Sequence, residues 1–359
     1  MMKQVFGCIA MAVSALMAPQ AVAHAAPAAP FDAVSVIETW LLPRYDTLVA
    51  STGAQLTAWT NFCAKPDAGG IASLKTAFGT AADSWSAVEF VTMGPITLSL
   101  RADRFNFFPD RRNSISRGMA ELISDPDPTR LTLERIAQAS AAIQGLPALE
   151  RLLFEEGAAA ALAGGPEAER RCAYGTVIAL NLATIAKDVR TAWGDKTTGL
   201  LGAVVQGKGD PALFPDVGAL PGMILTDLSG AYQRVTDTRI LPVLAGGPDD
   251  AKPLLADGWR AGRSGRVVTV MVESADALLR EVAKQLPSRP QWVVGKAADA
   301  ADKAAAEFPA DLGAAAQTAD GAAKIQASVK LFKAAQLTVY RPIASYFGIS
   351  LGFNALDGD

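Results

Sequence analysis

Apolar residues recur at helical spacing along almost the whole chain, and strand-like alternation is scarce. This periodicity constrains the fold more than any other feature. An apolar stripe with a period of 3.6 has to be buried against other helices. Phe31 to Ala50 carries the pattern, with Pro43 expected to kink or break it. Ile71 to Thr92 carries it again and is expected to end at "MGP", Met93 to Pro95. "SDPDPTR" supplies breakers and a cap before a helix over Leu131 to Ala141, and Pro166 to Trp193 predicts a long helix. Gly194 to Pro221 is the richest Gly/Pro stretch and reads as a connection. Beyond it, Gly222 to Leu244, Ala256 to Gln285, Trp292 to Phe308 and Ala319 to Phe347 predict four further helices.

The expected fold is therefore all-α, with two helical-bundle domains, the C-terminal one a four-helix bundle. Half of the 359 residues are hydrophobic, enough for such cores. The expected organisation is a signal segment over 1–25, a first helical domain over 26–195, a linker over 196–221 and a second bundle over 222–359.

The signal segment is read from Lys3, the apolar run "VFGCIAMAVSALMA" and the small residues of "AVAHA", with cleavage after Ala23 or Ala25. No later run reaches the roughly 18 apolar residues of a membrane span. The expected compartment is the bacterial periplasm. Cleavage removes Cys8 and leaves Cys63 and Cys172, which in an oxidising compartment are expected to form one disulfide, two buried thiols being the alternative. The only histidine is His24, which is removed or becomes the first residue. Ser-His-Asp, Cys-His and H-E-x-x-H sites are thereby excluded from the mature body. The formal net charge of −3 comes with no basic run for nucleic acid and no polybasic membrane patch.

Candidate chemistry gathers around "IQGLPALERLLF", Ile143 to Phe154, where a Gly and a Pro open an apolar helix that carries one acid, Glu150. A carboxylate near a helix start is favoured by the helix dipole, which is the structural reading of that acid. The functional reading needs partners. Arg101, Arg104, Asp110, Arg111 and Arg112 surround "FNFFPD", Glu89 follows Trp85 by one helical turn, and Arg260 and Arg263 are spaced to share a helix face. Each could as well clamp packed helices or solvate a surface. Guanidinium groups suit bidentate binding of carboxylate or phosphate, so an arginine-rich cleft with one or two acids suits an anionic ligand better than a bare cation. Glu89, Asp110 and Glu150 could supply three oxygen ligands to a hard cation if the fold gathers them. Phe105, Phe107 and Phe108 read as core. The terminal "DGD" reads as a solvated tail.

The stretches "WSAVEFVTMGP", "RADRFNFFPDRRN", "GLPALERLLF", "DGWRAGRS" and "SLGFNALDGD" together resemble the imelysin-like family, also filed as peptidase family M75, and within it the periplasmic members associated with iron uptake. The resemblance implies an exported protein with a cleft where two helical domains meet, and a central G-x-H-x-x-E motif. Its positions here are Gly145, Pro147 and Glu150, so proline stands where the family has histidine. Proline fits the start of a helix but offers no side-chain donor. The ligand set implied for the cleft is Gly145, Pro147, Glu150, Arg104, Asp110, Arg111, Glu89, Arg260 and Arg263, with Glu150 as the metal ligand if there is one, and the implied cargo is iron or an iron chelate. The first functional reading is a non-enzymatic binding or accessory protein in metal acquisition, with an outer-membrane transport component as partner. The alternatives are a metallopeptidase, disfavoured by the missing imidazole, and a periplasmic interaction module.

Overall fold

The computed structural model describes residues 30–352 except Pro215. The signal segment, its cleavage sites, Cys8, His24 and the terminal "DGD" lie outside the described residues. Within them the chain is helical, and the only bridge of strand type pairs Asp210 with Phe214. The all-α expectation holds.

Two groups of long helices form the body. The first group is α1 (Leu42–Ala64), α2 (Ala68–Ser86), the short α3 (Arg101–Phe105), α4 (Ser114–Ser124), α5 (Leu146–Phe154) and α6 (Ala168–Trp193). α1 packs along both α2 and α6, and α5 packs against α2. Gly175 on α6 permits the closest approach, because a side chain there would start 2.2 Å from the ring of Trp59. Cys63 and Cys172 are joined, which ties α1 to α6 across 109 residues of sequence. The stretch read as a connection carries α7 (Gly199–Val205), which buries Leu200, Leu201 and Val204. The second group is α8 (Leu220–Gln233), α9 (Ser264–Ala283), α10 (Ser288–Ala306) and α11 (Ala319–Thr338). α9 and α11 each pack on α8 and on α10, which closes a four-helix ring.

The two groups share one continuous hydrophobic core. α9 packs on α2. The segment before α1 belongs to both groups. Trp40 Nε1 donates to the Ser274 carbonyl at 3.2 Å, Arg44 Nε to Ser274 Oγ at 2.8 Å, and the Asp32 N–H to Gln285 Oε1 at 2.8 Å.

Proline shapes the helices differently from expectation. Pro43 does not break its helix. A π turn over Ile37–Leu41 precedes it and joins Ala33–Val36 to α1. A proline ring clashes with the carbonyl four residues back, and the wider turn relieves that clash. The same device recurs before Pro242, where a π turn over Arg234–Ile240 continues α8 into Leu241–Leu244. Near Pro342 the break is real: Arg341 leaves helical geometry at φ −141°, ψ 113°, as a residue before proline tends to do. The helix expected over Ile71 to Thr92 ends already at Ser86, and of the helix expected over Leu131 to Ala141 only Leu133–Gln138 is α-helical. Residues 256–263 form a loop rather than the start of α9, with Gly258 and Gly262 at positive φ.

Candidate functional site

The loop just described forms one wall of a cleft of about 670 Å³. The opposite wall comes from residues after α3 and from the start of α5. Phe107 and Phe108, Asp110, Arg111, Pro147, Glu150 and Arg151 face Asp237, Thr238, Leu254, Leu255, Asp257, Trp259 and Arg260 across it.

Gly145 caps α5, and Leu146 and Pro147 occupy its first two positions, so the missing proline N–H costs no helical hydrogen bond. A Cβ at Gly145 would sit 2.6 Å from the Phe105 carbonyl oxygen and 3.0 Å from that of Arg104. Glycine is required because α5 starts against the end of α3. Leu149, Leu152 and Leu153 anchor the far side of α5 in the core. That leaves Pro147 and Glu150 turned to the cleft.

Glu150 is 6% exposed. One carboxylate oxygen accepts from the Ala261 N–H at 3.0 Å, and the other has no hydrogen-bond partner among the described residues. Burial pushes the Glu150 carboxyl up from 4.5 to about 7, against the Ala261 hydrogen bond and the charges of Arg260 and Arg151, which hold it down; Asp257 adds to the rise. Near neutral pH this group is poised to give or take a proton.

Asp110 accepts from the N–H groups of Ser114 and Ile115 at 2.7 and 3.0 Å and so holds the start of α4. It also lies 3.8 Å from the buried Arg151, which donates to Ser116 Oγ. Arg111 is exposed on the cleft wall with no side-chain partner among the described residues. Arg260 lies over the ring of Trp259, 4.4 Å from its centroid, and pairs with Glu155 at 3.2 Å.

Deeper in, Glu89 and Arg239 form an ion pair at 2.5 Å, each side chain 3% exposed. Asp257 lies 3.0 Å from Arg239 Nε on the other side, and the Asn106 amide bridges the two acids at 3.3 and 3.4 Å. The Arg239 guanidinium stacks on Phe108, 4.2 Å from the ring centroid. Burial raises the Asp257 carboxyl above its ordinary value, opposed by Arg239 and reinforced by Glu89.

The cleft thus gathers Pro147, Glu150, Asp110, Arg111 and Arg260 directly, with Glu89 one layer behind. Arg263 faces a small adjoining space and pairs with Asp83 on α2. Arg260 and Arg263 reach in different directions because their segment is a loop, not the expected helix. Arg104 points away from the cleft and donates to Gln144 Oε1 at 2.8 Å and Asn181 Oδ1 at 2.9 Å. Gly145 lies beneath the cleft wall. Glu89, Asp110 and Glu150 are not gathered into a cation site, and among the described residues no three His, Cys, Asp or Glu side chains form a metal-holding group. A bare metal ion does not fit the residues present, because Pro147 offers no donor and two of the three acids are already engaged. Of the three phenylalanines only Phe105 is core, stacked on Trp85 with centroids 4.3 Å apart; Phe107 and Phe108 line the cleft.

Arg239, Asp257, Arg151 and Trp259 were not among the expected site residues. Asp257 and Trp259 lie inside "DGWRAGRS"; Arg239 lies in the polar stretch "RVTDTR", where nothing in the spacing marks it.

The model of the family described as Imelysin, Peptidase M75, matches residues 41–338. Two solved structures are similar in fold. One is an imelysin-like protein from Psychrobacter arcticum 273-4, 20% identical, with a TM-score of 0.71, covering 92% of this chain and 100% of its own. The other is named as an iron-regulated protein A precursor from Parabacteroides distasonis ATCC 8503, 16% identical, with a TM-score of 0.69, covering 88% of this chain and 94% of its own. No curated protein matches.

Proposed function

This chain belongs to the imelysin family, and from that premise we propose that it is an exported, non-enzymatic binding or accessory protein in bacterial iron or other metal acquisition, whose cleft takes an anionic metal chelate. The name of the Parabacteroides neighbour supports a link to iron, and the N-terminal "VFGCIAMAVSALMA" and "AVAHA" support export to the periplasm. The observation that carries the ligand class is Arg111, a guanidinium on the cleft wall with no partner among the described residues, in a cleft that Arg260 and aromatic side chains also line. Carboxylate arms of a chelate match such forks in bidentate geometry. Phe107, Phe108 and Trp259 supply apolar walls. Glu150, with one free oxygen and a carboxyl titrating near neutral, accepts a ligand hydroxyl or donates to a ligand oxygen.

The test uses the mature protein, with bound metals assayed by mass spectrometry and Fe(II), Fe(III) and ferric citrate titrated by calorimetry. Ferric citrate is expected to bind at micromolar levels or tighter, and Arg111→Ala and Glu150→Ala are each expected to weaken it at least about tenfold. Binding of the bare ions with equal affinity in wild type and both variants, or no binding of any form, overturns the reading.

One observation favours a second reading, an interaction module that docks on an outer-membrane transport component. Leu254 and Leu255 at the cleft mouth are 66% and 46% exposed. Co-purification of a partner from periplasmic extract, lost in Leu254→Asp with Leu255→Asp, supports it; recovery of the same partner with that double variant refutes it.

A further inference from the structure

Behind the ring of Phe108 lies a second chamber, about 220 Å³, lined by Glu89, Thr97, Asp103, Asn106, Arg234 and Arg239 among others. We propose that this chamber is a binding site for a small oxyanion, a carboxylate or a phosphate, held by Arg234 with Arg239 beside it.

The unmet donors carry the argument. Arg234 Nε is fully buried and has no hydrogen-bond partner, and no described carboxylate lies within ion-pair distance of its guanidinium. Arg239 leaves its NH1 buried and unpartnered, and its Nε, although 3.0 Å from Asp257, makes no hydrogen bond of good geometry. Buried guanidinium N–H groups are normally satisfied, so two arginines with open donors on one chamber form a built acceptor-binding wall.

The carboxylates nearby are engaged elsewhere or lie at the rim. Arg239 is flanked by both Glu89 and Asp257. Asp227, behind the chamber, already accepts from the Thr92 N–H and hydroxyl, and burial pushes its carboxyl up to about 7. Asp103 is exposed at the rim. Glu89, Asp227 and Asp103 all attract Arg234, yet none of them lies within ion-pair distance, and its guanidinium faces the chamber without a direct carboxylate partner among the described residues.

The backbone explains why both arginines reach one space. Residues five apart on an α-helix point about 140° away from each other. Arg234 and Arg239 lie within the π turn over Arg234–Ile240, whose i→i+5 pattern brings such residues to one side. The π turn that Pro242 calls for thus also builds the chamber wall. The inference stands apart from the cleft reading, because Arg111 and Arg260 take no part in it.

Two experiments test it. The mature protein is titrated calorimetrically with inorganic phosphate, with acetate and with chloride as a control. Phosphate or acetate is expected to bind at one site, and which of the two binds tighter identifies the oxyanion class. Arg234→Gln is expected to weaken the binding at least about tenfold, a difference of about 1.4 kcal/mol, while Arg234→Lys retains part of it. Unchanged binding in Arg234→Gln overturns the proposal. Wild-type crystals grown without phosphate are also soaked in selenate, which needs no variant to fold. Anomalous density in the chamber at Arg234 supports the site. Density only on surface arginines, or an adventitious ion only, overturns it.

Discussion

Glu150→Gln should make the protein more stable above neutral pH, and the structure sets the size of the effect. The wild-type carboxyl is 6% exposed and rises from 4.5 to about 7 on folding. At about 1.4 kcal/mol per pH unit, that rise corresponds to about 3 kcal/mol. The sign follows from where the proton sits. Below pH 4.5 the group is protonated in the folded and unfolded chain alike, and its full contribution is present. Between 4.5 and about 7 the unfolded chain releases the proton while the folded chain keeps it, so stability is lost as pH rises through this window. Glutamine has no proton to lose, and its Oε1 can still accept from the Ala261 N–H. The gap in favour of the variant is expected to be near zero at about pH 4 and to grow to about 3 kcal/mol by about pH 8. Urea unfolding followed by circular dichroism, for both proteins across that range, reads the gap directly. Asp257, Arg151 and Arg260 interact with the same carboxyl and remain in both chains, so the difference reads Glu150 together with its coupling to them. A gap that stays constant with pH, or a wild type that is the more stable protein at about pH 8, refutes the reasoning.

Gly145→Ala forces a methyl to 2.6 Å from the Phe105 carbonyl oxygen, and a loss of about 1–3 kcal/mol in urea unfolding is expected; wild-type stability would show that α3 and α5 can separate freely. Arg239→Met removes the partner of both Glu89 and Asp257, with an expected loss of about 3–5 kcal/mol near neutral pH. The double change Arg239→Met with Glu89→Gln is expected to recover the part of that loss due to Glu89, with Asp257 still unpaired, and thermal melts of the three proteins check it; a double variant no more stable than Arg239→Met argues against a stranded Glu89 charge.

Much of the fold was legible because helical periodicity is a local property. α6 and the helical run from Leu220 to Leu244 lie close to where the apolar spacing put them. Prolines were harder. Pro43 and Pro342 carry the same rule against an interior proline, yet one is absorbed in a π turn and the other ends the helix. That choice rests on what packs around the turn, which spacing does not encode. The local structure was legible where a motif names it: Gly145 and Pro147 open α5, and Pro147 and Glu150 line the cleft. The rest depended on long-range geometry. Arg104 and Arg111 are both arginines of one short segment, and only the tertiary fold sends the first to Gln144 and Asn181 and the second to the cleft. Arg260 and Arg263 lost their expected common face because two glycines at positive φ turn their segment into a loop.

The segment that carries Trp40 sets an order of events for a chain made from its amino end. The surface that receives it includes the Ser274 carbonyl and the side chain of Gln285. Ile37, Trp40 and Leu41, all buried in the finished protein, therefore emerge long before the helix that covers them exists. The leading turns stay uncovered until the part of the chain that carries Ser274 and Gln285 has followed. Such a delay is where a nascent chain is open to mispairing and where a chaperone has something to hold. A purified mature chain truncated near residue 195 should accordingly bind a holdase through its earliest turns, and a chain that includes α9 should not.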